Sequence, residues 1–254
     1  FPQSEIERTR QQALVMLKAK QDRSGGWADY LMQKDFYGSY PYGRDGLGTE
    51  ETLKKIKRAD IVQFYKKNYV PNQARLAVTG RFTPEIEKEI KERFAQWKAA
   101  PSFMQVIPPF QAPLQGRVTR LASPQKAQTE IRFIQPGIPR NNPDYMKLRL
   151  VNEILGGSFA SRLNQRVRDD LGLTYSIHSS LDTRKATGAW VISTFSKNAS
   201  AQQTVDETFS VLRKFVSEGA NATELAAAKN LVKSQLLRAL ETADRLAYNL
   251  VVLD

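Results

Sequence analysis

Arg168 and Tyr175 are the side chains of this chain best suited to act on a substrate carbonyl. They lie seven residues apart, and Gly172 between them predicts that a helix ends and a strand begins. A guanidinium and a phenolic hydroxyl both donate hydrogen bonds, so the pair has the chemistry to stabilise the oxyanion formed when a carbonyl is attacked. The alternative interpretation is that Arg168 is a solvated helix charge and Tyr175 a half-buried strand aromatic.

A helix is predicted to position the arginine. Phe159, Leu163 and Val167 recur at four-residue spacing, which places them on one face of an amphipathic helix. Gly156 and Gly157 precede this helix and end an earlier helical pattern, and one interpretation is that they form a helix C-cap. The candidate site would therefore lie at the corner where the amphipathic helix meets the next strand.

The composition is that of a basic, cysteine-free globular chain. Its 254 residues are 41% hydrophobic, enough for one large or two ordinary domains. The absence of cysteine excludes disulfides, thiol catalysis and thiolate metal sites. Lysine and arginine exceed aspartate and glutamate by 38 to 26, which favours acidic partners. The hypothesis that the chain is a nucleic-acid-binding module is supported only by this positive charge and by no sequence motif. We therefore expect no nucleic-acid partner.

Residues 1–98 are predicted to be mainly helical. Ser4 and Glu7 have the spacing of a capping box, and a proline directly after Thr83 is typical of a helix start. The predicted elements are, in chain order, helices over about 4–20 and 26–36, short helices begun by Thr49 and Asp60, a strand over 75–79, and a helix from Thr83-Pro84.

Prolines 101, 108, 109 and 113 predict a linker over residues 99–116, because no helix or central strand tolerates proline at that density. The linker separates residues 1–98, the end of a first domain, from a second domain at 117–254. The fold class predicted for both is α+β. The second domain's elements are, in chain order, strands near 117–122 and 128–135, a helix from Asn142-Pro143 to Gly156, the amphipathic helix, strands at 173–181 and 188–195, a helix from Ser200 to Gly219 with Val205, Phe209, Leu212 and Val216 inward, and a helix from Asn221 or Thr223 onward.

The run from Leu155 to Leu181 resembles a motif of the pitrilysin/insulinase-type zinc peptidases and the related mitochondrial processing peptidase. The Tyr-Pro-Tyr-Gly loop at 40–43 extends the likeness. The resemblance implies two homologous lobes of mainly antiparallel sheet flanked by helices, a LuxS/processing-peptidase-like fold of which the first lobe is incomplete here. A weak repeat that aligns Thr223 with Ser4 agrees with it. The matching residues are Gly156, Gly157, Ser161-Arg162-Leu163, Arg168, Gly172 and Tyr175.

The resemblance also predicts that this chain holds no zinc. Active members carry a His-x-x-Glu-His helix, whereas His178 is the single histidine here. The position of the third zinc ligand, nine residues after Glu7 in the Glu-Arg-x-Arg pattern, falls on Met16. A thioether is a poor zinc partner in such a site. Zinc is therefore expected in a partner subunit.

The resemblance implies that this chain is a component of a zinc metallopeptidase. Arg168 and Tyr175 would make catalytic contacts to a peptide substrate at the zinc of a His-x-x-Glu-His subunit, or within a homo-oligomer. The other implied substrate-binding residues are Gly156, Gly157, Ser158 and Arg162, the two glycines in a flexible loop.

The alternative is an inactive structural or scaffolding homologue, like the core subunits of respiratory complexes. The resemblance favours a periplasmic or secreted location, although this sequence shows no signal peptide. No apolar run approaches the length of a membrane span, and we expect none.

Overall fold

The computed structural model describes residues 1–99, 106–113, 116–122 and 125–252. Helices predominate, and local capping explains where several of them begin. Thr49 caps the helix after it through a capping box with Thr52, and Pro84 is the first residue of the helix that follows Thr83. The α-helices of the described residues are, in chain order, α1 (Gln3–Asp22), α2 (Ser24–Tyr37), α3 (Glu50–Lys55), α4 (Arg58–Asn68), α5 (Pro84–Ala95), α6 (Tyr145–Asn152), α7 (Ala201–Glu218), α8 (Ala222–Arg238) and α9 (Ala243–Val252).

Three strands form an antiparallel sheet within the described ranges. They are β1 (Gln128–Pro136), β2 (Ile177–Thr183) and β3 (Gly188–Lys197), in the spatial order β1-β3-β2. In the central strand β3, Ile192 lies opposite Phe133 of β1 and Ser179 of β2. Helices flank this sheet, so the predicted α+β class is confirmed.

The sheet separates two cores, because successive side chains of a strand point to opposite faces. Ile192 of β3 faces the first core, and its neighbour Val191 faces the second. The segment that carries the candidate site packs into the first core through Leu163 and Val167, which are fully buried. The buried members of the first core are Leu155, Leu163, Val167, Ile177, Ile192 and Val211, and those of the second are Tyr37, Ala189 and Val191.

Two predicted strands are wrong. Residues 75–79 and 117–122 belong to no strand in the part of the chain that the structure describes. Alternating apolar residues give a segment the potential to form a strand, but a strand also needs a neighbour for its backbone hydrogen bonds. The start of α4 is also earlier than predicted: Asp60 is its third residue, and its carboxylate accepts a hydrogen bond from the Lys57 amide at 2.7 Å.

The buried face of α7 matches the predicted face only in part: Leu212 packs against the first core. Thr204, Thr208 and Val211 are buried, whereas Val216 is 85% exposed and Phe209 is exposed. The threonines are accommodated because their hydroxyls donate to main-chain carbonyls one turn earlier, at 2.9 and 2.7 Å. The last predicted helix is divided in two, since α8 ends at Arg238 and α9 begins at Ala243.

The chain divides into two compact units. One comprises Phe1–Leu14, Thr49–Val106 and Leu231–Asp254, and the other comprises Val15–Gly48 and Ile107–Asn230. The sheet and the candidate site lie in the second unit. Residues 106–113 of the predicted linker form neither helix nor strand, and its residues 100–105 and 114–115 lie outside the described residues. The domain boundaries inferred from the prolines stay a prediction.

Candidate functional site

Two π-helices carry part of the candidate site. α6 continues into a π-helix over Glu153–Gly157, and a second π-helix spans Asn164–Asp170 where an α-helix was predicted. A π-helix bonds each amide to the carbonyl five residues earlier, so its turn is wider than an α-turn. Such segments are rare and frequently lie at functional sites. No sequence signal distinguishes them from α-helix, and the sequence analysis missed both.

The loop between the two π-helices is fastened at both ends. The Ser158 hydroxyl donates to the Glu153 carbonyl at 3.0 Å, which caps the first π-helix. The buried amide of Asn164 donates to the Ser158 carbonyl and to the Ser161 hydroxyl, both at 3.1 Å. Ser158 therefore has a structural role in holding the loop, and its predicted contact with substrate stays a prediction.

Close packing leaves no room for a side chain at Gly156 or Gly157. A Cβ on Gly156 would lie 2.6 Å from the Ser179 Oγ, and one on Gly157 would lie 2.6 Å from the Asn152 Nδ2. Neither glycine has a positive φ, so they do not form the left-handed C-cap that ends many helices. Gly172 does have a positive φ, 60°, and ends the second π-helix as predicted.

A buried polar cluster centred on Asn152 supports these glycines. Its Oδ1 accepts from the Trp190 Nε1 at 2.7 Å and from the Ser179 Oγ at 2.8 Å. Its Nδ2 donates to the Ser179 carbonyl at 3.3 Å. These bonds tie α6 to β2 and β3. The sequence analysis missed it, since the three residues are far apart in the chain.

Arg168 is held at the surface by two neighbours. Its Nε donates to the Asp169 carboxylate at 2.8 Å, and its guanidinium carbon lies 3.9 Å from the centre of the Phe159 ring. The side chain is only 22% exposed, so the interpretation as a freely solvated charge is wrong. Among the described residues neither Nη group of Arg168 has a hydrogen-bond partner. Those N–H donors are not used by other described residues.

Tyr175 projects from a turn that precedes β2. It is 86% exposed, so the interpretation as a half-buried strand aromatic is wrong, and β2 begins only at Ile177. Thr194 of β3 holds this turn through its hydroxyl, which bonds the Ser176 carbonyl at 2.9 Å and the Thr174 hydroxyl at 3.1 Å. Within the described residues the phenol has no hydrogen-bond partner.

Arg162 is committed to a structural ion pair. Its Nε and Nη2 bond both carboxylate oxygens of Glu224 at 2.6 and 2.7 Å, and Nη2 also bonds the Gly219 carbonyl at 2.8 Å. The hydrogen bond from Arg162 lowers the pKa of Glu224, against the opposing effect of burial. The pair fastens the start of the second π-helix to α8. A role for Arg162 in substrate binding stays a prediction.

The expectation that this chain holds no zinc stays a prediction. Met16 on α1 is 56% exposed, and His178 is exposed on β2. In the ranges that the structure describes, no group of three or more histidine, cysteine, aspartate or glutamate side chains is placed to hold a metal ion. In the same ranges, each helix is too short or too polar to cross a lipid bilayer.

The fold and the motif define a class of peptidase-related domain. A family model described as the Peptidase M16 inactive domain matches residues 55–232, and the chain belongs to this family. This confirms the resemblance to pitrilysin-type zinc peptidases at the level of the family.

Individual relatives agree with this family assignment. A protein named uncharacterized zinc protease YmxG from Bacillus subtilis is 26% identical over 248 residues, 96% of this chain and 59% of that protein. The non-peptidase homolog YmxG of Helicobacter pylori is 24% identical over 242 residues, 94% of this chain and 55% of that protein. The crystal structure of a peptidase M16 inactive domain from Pseudomonas fluorescens has a TM-score of 0.82 at 24% identity, with 92% of this chain and 56% of that chain covered. This chain therefore spans less than two thirds of the length of these relatives.

Proposed function

We propose that this chain belongs to the non-catalytic component of an M16 zinc peptidase and supplies Arg168 and Tyr175 to a peptide substrate. Zinc and the residues that activate water would belong to a His-x-x-Glu-His partner subunit. The task of this chain would be to complete the substrate site, with no metal of its own.

The observation that supports the proposal is that ordered parts of the chain carry hydrogen-bond donors that bond no other described residue. The Nη groups of Arg168 and the hydroxyl of Tyr175 lack partners among the described residues. The Arg168 side chain is held by Phe159 and Asp169, and the backbone turn that carries Tyr175 is bonded to Thr194. Preorganised donors of this kind stabilise developing charge more than mobile ones, because little reorganisation is needed during the reaction.

The chemistry of these donors suits peptide-bond cleavage. When water attacks a peptide carbonyl, the carbonyl oxygen gains negative charge, and N–H and O–H donors aimed at it lower the barrier. A guanidinium offers only donors and a phenolic hydroxyl can donate, so both groups can bond the oxygen on which charge develops. Neither residue would need to exchange a proton with the substrate.

The second candidate is an inactive structural homologue. The name of the Helicobacter pylori relative, a non-peptidase homolog, favours it. On this alternative, the contact of Arg168 with Phe159 and Asp169 would serve only to order the surface. The two functions differ in whether Arg168 and Tyr175 affect a reaction.

Copurification tests the proposed partner. The full-length protein, tagged and isolated from its own cells, should retain a subunit with the His-x-x-Glu-His motif, and metal analysis should place zinc in that subunit. Pooled internally quenched peptides should be cleaved by the pair and by neither subunit alone. A full-length protein that copurifies with no zinc subunit, or a zinc subunit fully active alone, would favour the structural homologue.

Substitution of Tyr175 then tests the site within the assembled pair. Tyr175→Phe removes only the hydroxyl, and because the ring is exposed we expect little change in thermal stability. Loss of one oxyanion donor typically lowers kcat by roughly 10²–10³-fold with little change in KM. Tyr248→Phe, another exposed tyrosine, is the matched control and should leave kcat unchanged. Equal kcat for Tyr175→Phe and wild type in a verified complex would remove the proposed role.

A further inference from the structure

Phe159 is an apolar side chain displayed on the surface by a loop that is itself well fastened. It is 75% exposed, although the burial of an apolar side chain is favourable. Ser158 on one side of it and Ser161 on the other are both tied to Asn164 at 3.1 Å. The exposure of the ring therefore follows from an ordered loop and not from local disorder.

The ring of Phe159 contacts one charged group, the guanidinium of Arg168. Its centre lies 3.9 Å from the Arg168 Cζ, well within the range of a cation–π interaction. This contact uses the ring face and consumes none of the five N–H donors of the arginine. Asp169 occupies the Nε donor at 2.8 Å. Between them, the ring and the carboxylate restrain the arginine and leave its Nη donors unused.

We infer that Phe159 is a positioning residue for Arg168. The inference rests on the proposed function, because it assumes that Arg168 acts on a substrate. A free arginine side chain has many rotamers, and ordering it during the reaction would reduce the rate. The stacked ring reduces that entropy before substrate binds, and the hydrogen bonds of Ser158 and Ser161 hold the loop that carries the ring.

The restraint from the ring complements the restraint from Asp169. A single hydrogen bond at Nε restrains one edge of the planar guanidinium but still permits the plane to tilt about that bond. A ring face alone fixes the plane of the guanidinium but not the direction of its donors. Together the two contacts define both, which is why we assign the aromatic residue a function and not only a packing role.

The test uses the full-length chain assembled with its zinc subunit, and pooled internally quenched peptides as the probe. Phe159→Leu keeps apolar bulk and removes the aromatic face, while Phe159→Tyr keeps the face. We expect Phe159→Leu to lower kcat by about 3- to 30-fold with KM nearly unchanged, and Phe159→Tyr to retain kcat. The matched control is Tyr145→Leu, which removes a similar arginine–aromatic stack, Arg140 over Tyr145 at 4.0 Å, elsewhere on the surface. That control should leave kcat unchanged.

A double-mutant cycle shows whether Phe159 acts through Arg168. In an Arg168→Ala background, Phe159→Leu should have no further effect on kcat. Additive losses would mean that the ring acts independently of the arginine, and a rise in KM alone would make it a plain substrate contact; either result overturns the inference.

The cycle also separates this inference from the proposed function. If Arg168→Ala lowers kcat while Phe159→Leu does not, the positioning role is wrong and the proposed function stands. If Arg168→Ala itself leaves kcat unchanged, the proposed role of the arginine fails and the positioning role fails with it.

Discussion

Gly156 shows how a single missing side chain can set the distance between two elements. It is buried where the first π-helix packs on β2, and a Cβ there would lie 2.6 Å from the Ser179 Oγ and 2.9 Å from the Leu163 Cδ1. Ser179 takes part in the buried cluster with Asn152, and Leu163 is fully buried in the first core, so neither has free space to move. The glycine therefore contributes to the site through packing.

Gly156→Ala should lower the free energy of unfolding by about 1–3 kcal/mol, because overpacked cores must shift to accept even one methyl group. The measurement is chemical denaturation of the full-length protein. Gly46→Ala is the matched control, since a Cβ there meets nothing within 4 Å and its φ is not positive. If both variants were equally stable, the close packing around Gly156 would not be required.

Thr194 connects the central strand to the turn that carries Tyr175. Thr194→Val removes a buried hydroxyl that bonds the Ser176 carbonyl and the Thr174 hydroxyl. We expect a loss of about 1–2 kcal/mol in the free energy of unfolding, because buried partners lose hydrogen bonds. Hydrogen exchange should also become faster at residues 174–176.

A second buried threonine is the control for Thr194. The hydroxyl of Thr208 bonds only a carbonyl of its own helix, that of Thr204, at 2.7 Å. Thr208→Val should therefore lower the free energy of unfolding less than Thr194→Val does. Unchanged exchange at 174–176 in Thr194→Val would show that the turn is fixed by something else.

At the scale of elements, the Arg162–Glu224 pair joins the second π-helix to α8. Glu224 also completes the start of α8: its carboxylate accepts from the Asn221 amide, and its own amide donates to the Asn221 Oδ1, both at 2.9 Å. Together these contacts form a capping box whose acidic residue is also one partner of an interhelical ion pair. One carboxylate thus fixes both the end of a helix and its position.

The stability contributed by Glu224 should depend on pH. Because Arg162 lowers its pKa in the folded chain below the ordinary value of 4.5, the ionised form is the stabilising one. The contribution is fully present above the unfolded pKa and is lost as the pH falls through the folded pKa. Glu224→Gln should therefore lower the free energy of unfolding by about 1 kcal/mol at pH 7, after allowance for solvent screening.

Chemical denaturation of wild type and Glu224→Gln between pH 7 and pH 3 checks this dependence. The difference between the two proteins should narrow as the pH falls below 4.5. Glu87→Gln, at an exposed pair with Lys91, should have little effect at any pH. A constant difference across the range would show that the carboxylate charge is not what stabilises α8.

At the scale of the whole molecule, part of the predicted linker is attached to the second unit. Phe110 packs against the rings of Tyr37 and Tyr40 at 5.1 and 5.0 Å, and the Tyr40 hydroxyl donates to the Pro108 carbonyl at 2.9 Å. The aromatic residues of α2 and of the Tyr-Pro-Tyr-Gly loop therefore hold residues 108–110. This attachment could not be read from the proline pattern.

Limited proteolysis of the full-length protein should show the consequence. We expect chymotrypsin to cleave slowly after Phe110 in the native protein, because the Phe110 ring is packed. Tyr40→Phe, which removes the bond to the Pro108 carbonyl, should speed cleavage after Phe110, as judged by mass spectrometry of the fragments. First cleavage within 160–180 would contradict both the linker and the order of the loop at the site.

The sequence by itself determined those features that depend on contacts between residues close together in the chain. The sequence predicts the helix starts at Thr49 and Thr83-Pro84 and the end at Gly172, and it narrows the start of α8 to Asn221 or Thr223. Each of these depends on hydrogen bonds or backbone angles within a few residues. The family motif likewise identified the segment that carries Arg168 and Tyr175, since its residues are close in sequence.

Tertiary structure alone decided how those residues are held. The stack of Phe159 on Arg168 depends on a π-helix that shares its composition with an α-helix, and the bond of Thr194 to the turn of Tyr175 joins residues about 20 positions apart. The same holds for the buried face of α7 and for the absent strands at 75–79 and 117–122. Periodicity shows which residues are apolar, but pairing and burial depend on neighbours brought in from elsewhere in the chain, which no local pattern specifies.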